Sequence, residues 1–204
     1  MITIIDYGMG NLGSIQNMIK KIGYRSIISS EFSEIANADW LILPGVGKFD
    51  KAMSNLADLG LIDLIRQKAD DGIPLLGICL GMQLLATDSE EGVLSGLSLI
   101  PGHVRKFNFD AGLKVPHMGW NLIDYNGECP LYRGFDQFEE TRFYFVHSYH
   151  YCCDQSAHSA SFTYYGFPFT SSIWKGNIFG VQYHPEKSHK FGMKLLTNFI
   201  EMGC

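Results

Sequence analysis

Cys79 sits in Gly77-Ile78-Cys79-Leu80-Gly81, between the apolar runs Pro74-Leu75-Leu76 and Met82 to Ala86. A strand, a sharp turn and a helix in that order form a nucleophile elbow with a thiol in place of the more familiar hydroxyl. Glycines on both sides leave room where a strained turn tolerates no neighbouring Cβ. A helix N-terminus behind the cysteine would favour the thiolate, the reactive form. A thiol nucleophile needs a base. Of the seven histidines, His184 stands out, because His184-Pro185-Glu186 closes the apolar segment Ile178 to Gln182. Alternation in an extended segment points residues i and i+2 the same way. Glu186 would then lie beside His184, fix its tautomer and stabilise its cation. Cys79, His184 and Glu186 form a candidate catalytic triad, and the chain reads as an enzyme.

An acyl-transfer site also needs donors for a tetrahedral oxyanion, commonly about 3 kcal/mol for each. The N–H of Leu80 is one candidate. Pro44-Gly45-Val46-Gly47 is the other source, because it follows a predicted strand and should reach the same sheet edge. A competing pattern lies near the start. Gly8-Met9-Gly10-Asn11-Leu12-Gly13 matches a dinucleotide-binding fingerprint, with Glu31 placed for a ribose. That rival reading is an oxidoreductase. Asp6-Tyr7 separates its first glycine from the strand, and it leaves Cys79 and His184-Pro185-Glu186 unused.

The positioning elements alternate through the first half: strands at Ile2 to Ile5, Arg25 to Ser29, Trp40 to Leu43 and Leu75 to Ile78, helices at Leu12 to Ile22, Phe49 to Leu56 and Leu61 to Lys68. Ile15, Met18, Ile19 and Ile22 share one helical face. This order predicts an α/β fold with a parallel sheet covered on both faces. The second half predicts short strands, at Leu97 to Ile100, Val104 to Phe109, Arg142 to Val146, Ser159 to Tyr164, Thr170 to Trp174 and Ile178 to Gln182, as an antiparallel or mixed extension. A last helix starts near Ser188, read as its N-cap, and buries Phe191, Leu195, Leu196, Phe199 and Ile200. No linker or repeat divides the 204 residues, so one domain over 1–204 is expected.

Hydrophobic residues make up 46% and charged residues 18%, which excludes a disordered chain. No apolar run reaches membrane-spanning length. A net charge of −5 argues against a general nucleic-acid binder. Five cysteines, Cys79, Cys129, Cys152, Cys153 and Cys204, are an odd number without a C-x-x-C pair. They predict neither a disulfide framework nor a zinc site, and they suit a reduced intracellular compartment. The four other than Cys79 read as structural or incidental.

Along its whole length the chain resembles the class I (triad) glutamine amidotransferases, and more narrowly the glutaminase subunits of imidazole glycerol phosphate synthases. The resemblance rests on Asp6 to Asn11, Pro44 to Gly47, Gly77 to Leu85, Pro116-His117-Met118-Gly119-Trp120-Asn121, Tyr144 to Tyr149 and Gly180 to Ser188. It implies a flavodoxin-like sheet with an antiparallel extension, no cofactor or metal, and a cytoplasmic enzyme that hydrolyses glutamine. Cys79, His184 and Glu186 would be its triad. Leu80, Gly45 and Val46 would form the oxyanion hole, and Gly47, Gln83, Glu91, Ser148 and Tyr149 would grip glutamine. The same resemblance implies that ammonia passes to a (β/α)8-barrel cyclase in a heterodimer, with Asn11, His117, Met118 and Trp120 on the docking face. It further suggests that the oxyanion loop is poorly formed until the partner's ligand binds. Relatives that feed ammonia to amidino-sugar enzymes of surface polysaccharides share the same half-reaction. An inactive regulatory subunit is a third reading, disfavoured because it would need none of the triad.

Overall fold

The computed structural model describes residues 1–109 and 112–202. Its strands are β1 (Ile2–Ile5), β2 (Ser26–Ser29), β3 (Trp40–Leu43), β4 (Leu75–Ile78), β5 (Asp88–Ser89), β6 (Gly102–Lys106), β7 (His117–Leu122), β8 (Asp124–Tyr125), β9 (Arg142–His147), β10 (Tyr149–Cys153), β11 (Ser159–Tyr165), β12 (Phe167–Lys175) and β13 (Ile178–Val181). Its helices are α1 (Leu12–Lys21), α2 (Phe32–Ala36), α3 (Phe49–Asp58), α4 (Leu61–Asp70), α5 (Leu80–Leu84) and α6 (His189–Glu201). The main sheet runs β2-β1-β3-β4-β13-β12-β10-β6-β5, with β11 and β8 paired on beyond β12. From β2 to β13 neighbours are parallel; from β13 through β12, β10 and β6 they are antiparallel. β7 and β9 form a separate antiparallel ribbon.

Strand β1 is buried along both faces, as expected where helices cover a parallel sheet on both sides. Ile5, Leu41, Leu43 and Leu75 face α3 and α4 through Phe49, Met53, Leu56, Leu61 and Ile65. Ile4, Ile42, Leu76 and Ile78 face α1 and α6 through Ile15, Ile19, Leu195, Leu196 and Phe199. Burying each such side chain contributes roughly 1.5–3 kcal/mol, so α6 alone fastens the chain's C-terminal part firmly to the sheet.

Structure and expectation differ at particular elements. Leu97 to Ile100 is not a strand. The N–H groups of Leu97, Ser98, Leu99 and Ile100 donate to the carbonyls of Leu84, Ala86, Leu85 and Leu85, so this apolar loop satisfies the open end of α5 instead of joining a sheet. Ser188 is the N-cap residue of α6, as expected, but its hydroxyl makes no capping bond and is used elsewhere. Strands β5, β7, β8 and β10 and the short α2 were not anticipated. Cys204 lies outside the described residues.

Candidate active site

Parallel pairing assembles the site. Register sets Ile78 of β4 beside Val181 of β13, and Leu43 of β3 beside Gly77 of β4. The residues that follow each strand therefore emerge at one sheet edge: Cys79, the segment leading to His184, and Pro44 to Gly47. This is the carboxyl-edge position where open α/β sheets place their sites.

Cys79 has φ 55° and ψ −109°, a conformation that costs a non-glycine residue of order 1–3 kcal/mol. Its N–H donates to Val181 O at 2.8 Å, which holds the elbow against β13. Gly81 permits the turn, because a Cβ there would lie 1.8 Å from the Leu43 carbonyl oxygen. The helix behind the cysteine is only Leu80–Leu84, a single turn. The expected macrodipole is thus too short to favour the thiolate by itself, since aligned peptide dipoles must accumulate over several turns.

His184 Nδ1 and Glu186 Oε1 are 2.8 Å apart, with side chains 2% and 1% exposed. The contact agrees with expectation, but its geometry does not. Residues 185–187 form a 3-10 turn, so the carboxylate curls back beneath the ring rather than lying along an extended strand. Burial pushes the imidazole down; the neighbouring Cys79, together with the hydrogen bond and charge of Glu186, outweighs it and lifts the value to about 10. Nε2 of His184 is buried with no hydrogen-bond partner, and the ring shares one cavity with Cys79. Such contacts commonly tighten only when substrate is bound. Ser188 Oγ donates to His184 O at 2.6 Å and accepts from Tyr144 N–H at 3.0 Å, locking the histidine backbone.

A cavity of about 330 Å³ opens over the thiol, lined by Val46, Gly47, Cys79, Leu80, Gln83, Glu91, Pro116, Val146, His147, Ser148, Tyr149 and His184. All five residues expected to grip a substrate are therefore present. One oxygen of Glu91 accepts the N–H of Phe49 at the start of α3 at 2.9 Å, which anchors the carboxylate. Desolvation, followed by the charges of Glu91 and Glu90, raises the Tyr149 phenol, so this end of the cavity is electronegative and suited to an ammonium group. Gln83 donates through Nε2 to Tyr149 O (3.2 Å) and to Gln182 Oε1 (3.0 Å). With both amide hydrogens used, Gln83 can offer a substrate only its acceptor oxygen.

The expected oxyanion donors are not free. Leu80 N–H donates to Gly45 O at 3.3 Å, so a carbonyl stands where a donor is needed. The loop is fastened by Tyr7, whose buried hydroxyl donates to Pro44 O at 2.6 Å. No side chain fits at Gly45, where a Cβ would lie 2.7 Å from the Tyr7 hydroxyl and 2.9 Å from Gly81 N. Tyr7 was missed because nothing in the sequence pairs β1 with a loop 37 residues away. Gln182 was also missed, although it lies two residues before His184.

On the ribbon, Met118, Trp120 and Leu122 are exposed on one face, 62%, 45% and 48% respectively. Opposite them in register are Val146, Tyr144 and Arg142. His117 is the exception among the expected docking residues. It is buried, bonded to His147 and stacked on Tyr165, because alternation turns it inward while Met118 turns out. Asn11 is half-buried at the start of α1. The dinucleotide reading fails locally. That motif needs its third glycine for close helix–strand packing, yet a Cβ on Gly13 would meet nothing within 4 Å. The remaining described cysteines, Cys129, Cys152 and Cys153, are free, and burial pushes the Cys129 thiol up to about 12, into an inert range.

An elbow cysteine and a histidine–carboxylate pair at the edge of such a sheet are the arrangement expected of an activated nucleophile. The chain matches the glutamine amidotransferase class-I family model over residues 3–202 and belongs to that family. It is 52% identical to imidazole glycerol phosphate synthase subunit HisH 2 of Methanococcus maripaludis, covering 98% of this chain and 99% of that one. It is 50% identical to subunit HisH of Sulfurimonas denitrificans, covering 98% of both. Among solved structures, a glutamine amidotransferase crystal structure superposes with a TM-score of 0.75 at 15% identity over 98% of both chains. PurLQS from Thermotoga maritima does so with 0.75 at 17% identity, over 100% of this chain and 98% of the other. These two show the fold.

Proposed function

We propose that this chain is the glutaminase subunit of an imidazole glycerol phosphate synthase and that residues 1–204 work as one amidotransferase domain in the cytoplasm. The single observation that carries the reading is the β4–β13 register, which brings Cys79 and His184, itself bonded to Glu186, to one cavity. The identity to HisH subunits over nearly the whole chain supports the assignment of pathway. No helix among the described residues is long and apolar enough to cross a membrane.

Cys79 Sγ attacks the side-chain carboxamide carbon of glutamine. Its C–S bond forms as the carbonyl π pair moves onto oxygen. The His184 imidazolium donates its Nε2 proton to the departing nitrogen, the C–N bond breaks, and ammonia leaves a γ-glutamyl thioester. Neutral His184 then takes a proton from water, hydroxide adds to the thioester, and the C–S bond breaks to give glutamate. The thiolate and the imidazolium are thereby restored. Glu186 holds the tautomer throughout. Glu91 receives the α-ammonium group, and Gly47, Gln83, Ser148 and Tyr149 complete the grip.

The Gly45 carbonyl on Leu80 N–H makes this an idle state. Rotation of the Gly45–Val46 peptide would withdraw the carbonyl and supply the Val46 N–H as a second donor. A (β/α)8-barrel cyclase docking on Met118, Trp120 and the adjoining ribbon, near Asn11, would be the trigger and the receiver of ammonia. The test is glutamate release with and without such a cyclase and its ribonucleotide ligand. Cys79→Ala should abolish release, retain partner binding, and leave cyclisation supported by added ammonium. Normal glutamate release by that variant overturns the reading.

A further inference from the structure

The sulfur of Cys79 has two polar contacts that oppose each other. As a thiol it can donate to Val146 O at 3.9 Å, and Gln182 Nε2 donates to it at 3.8 Å. The first favours the neutral form and the second favours the anion, because an N–H donor bonds a thiolate more strongly than a thiol. The orientation of the Gln182 amide is fixed independently. Its Oε1 accepts from Gln83 Nε2, so its nitrogen must face the sulfur. Gln83 is oriented in turn by the Tyr149 carbonyl, which can only accept.

That same carbonyl is gripped from its other side. His147 Nδ1 lies 2.7 Å from Tyr149 O and must carry a hydrogen. His117 Nδ1 lies 2.9 Å from His147 Nε2, and Asn121 Nδ2 lies 3.2 Å from His117 Nε2. With both rings neutral the directions follow without choice: Asn121 donates to His117, His117 to His147, and His147 to Tyr149. Burial depresses both rings, His117 to about 4 and His147 to about 3, which keeps them neutral near pH 7. His150 and His184 are the further titratable groups whose charge bears on His147. Those reaching Cys79 are His184 and Tyr7. Gln182, Gln83, His147 and His117 are all buried.

We propose that Gln182 is a further residue of this site, holding negative charge on the Cys79 sulfur, and that Gln83, His147 and His117 are positioning residues which orient it from Asn121 on the β7 ribbon. The reaction sequence above leaves Gln182 without a role, and it is a buried primary amide aimed at the nucleophile. The relay also ends on the strand that carries the exposed Met118 and Trp120, so displacement of that strand would be felt at the sulfur. The inference rests on Cys79 being the nucleophile, but its test reads the thiol directly.

The experiment is peptide-resolved iodoacetamide alkylation of Cys79 in the full chain from pH 5 to 9. Gln182→Glu keeps the shape and the acceptor for Gln83 but removes the donor; Gln182→Met removes both. Each should slow alkylation at pH 7 by about tenfold, equivalent to about 1.4 kcal/mol, and move the pH profile upward. His117→Phe, which keeps a ring on Tyr165, should slow it about threefold. In the wild-type protein, side-chain NMR should show both rings neutral at pH 6 with hydrogen on Nδ1, a readout that needs no variant to fold. Alkylation within twofold of wild type in folded Gln182 variants overturns the proposal, as does hydrogen on His147 Nε2. Alkylation governed by Gln182 in a protein that releases no glutamate with its cyclase would instead overturn the proposed function and leave the relay standing.

Discussion

Glu186→Gln isolates the charge of the buried pair while keeping its shape. The amide oxygen can still accept from His184 Nδ1, so the ring stays oriented, but the carboxylate no longer stabilises its cation. In the native chain His184 is lifted from 6.5 to about 10 against the downward pull of burial, by Cys79 and Glu186 together. That displacement corresponds to about 5 kcal/mol of proton-linked stability. Removing one partner of a buried ion pair commonly costs about 3–5 kcal/mol; Gln keeps the hydrogen bond to His184 Nδ1, so the loss should be smaller, about 2 kcal/mol. A value raised by folding contributes fully below the unfolded value of 6.5 and is lost as pH climbs through about 10. Urea unfolding of both proteins, followed by tryptophan fluorescence, should therefore give a gap of about 2 kcal/mol at pH 6 that closes by about pH 10. The alkaline limb of glutamate release, measured with the cyclase, should move to lower pH from near pH 10. A stability gap independent of pH, with an unmoved alkaline limb, would show that Glu186 does not hold the imidazolium.

Gly81→Ala places a methyl 1.8 Å from the Leu43 carbonyl oxygen, a backbone atom that cannot turn aside. It should cost at least about 2 kcal/mol in thermal or urea unfolding and eliminate glutamate release, because relief requires the elbow to open. Trp120→Ala removes a half-exposed ring stacked on His189 at the ribbon surface. Calorimetric titration with the cyclase should lose about 2 kcal/mol of affinity while the melting temperature of the free subunit holds.

The alternating apolar segments before Ile78 are locally self-describing. Parallel strands buried on both faces read as continuous apolar runs, so Trp40 to Leu43 and Leu75 to Ile78 have the expected ends. Leu97 to Ile100 shows where that signal fails, because the same β-prone composition can satisfy helix carbonyls through a loop, and composition does not say which acceptor will be near. Ser188 was legible as a helix boundary but not as the anchor of His184, since that role depends on Tyr144, 44 residues away. His117 and Met118 were read together as surface residues. Only the pairing of β7 with β9 decides that one turns inward to His147 and the other out.

The chain alone nominated the chemistry: which residue could attack, which could move a proton, and which glycines make room for a turn, because residue type and near-neighbour spacing are local properties. Tertiary structure decided everything that needs two distant segments at once. The β4–β13 register brought Cys79 and His184 to one cavity, the Gly45 carbonyl occupied the Leu80 N–H, and Gln182 was turned nitrogen-first to the sulfur. Hydrogen bonds have direction and a reach of about 3 Å between nitrogen and oxygen, and neither can be assigned before the chain has closed on itself.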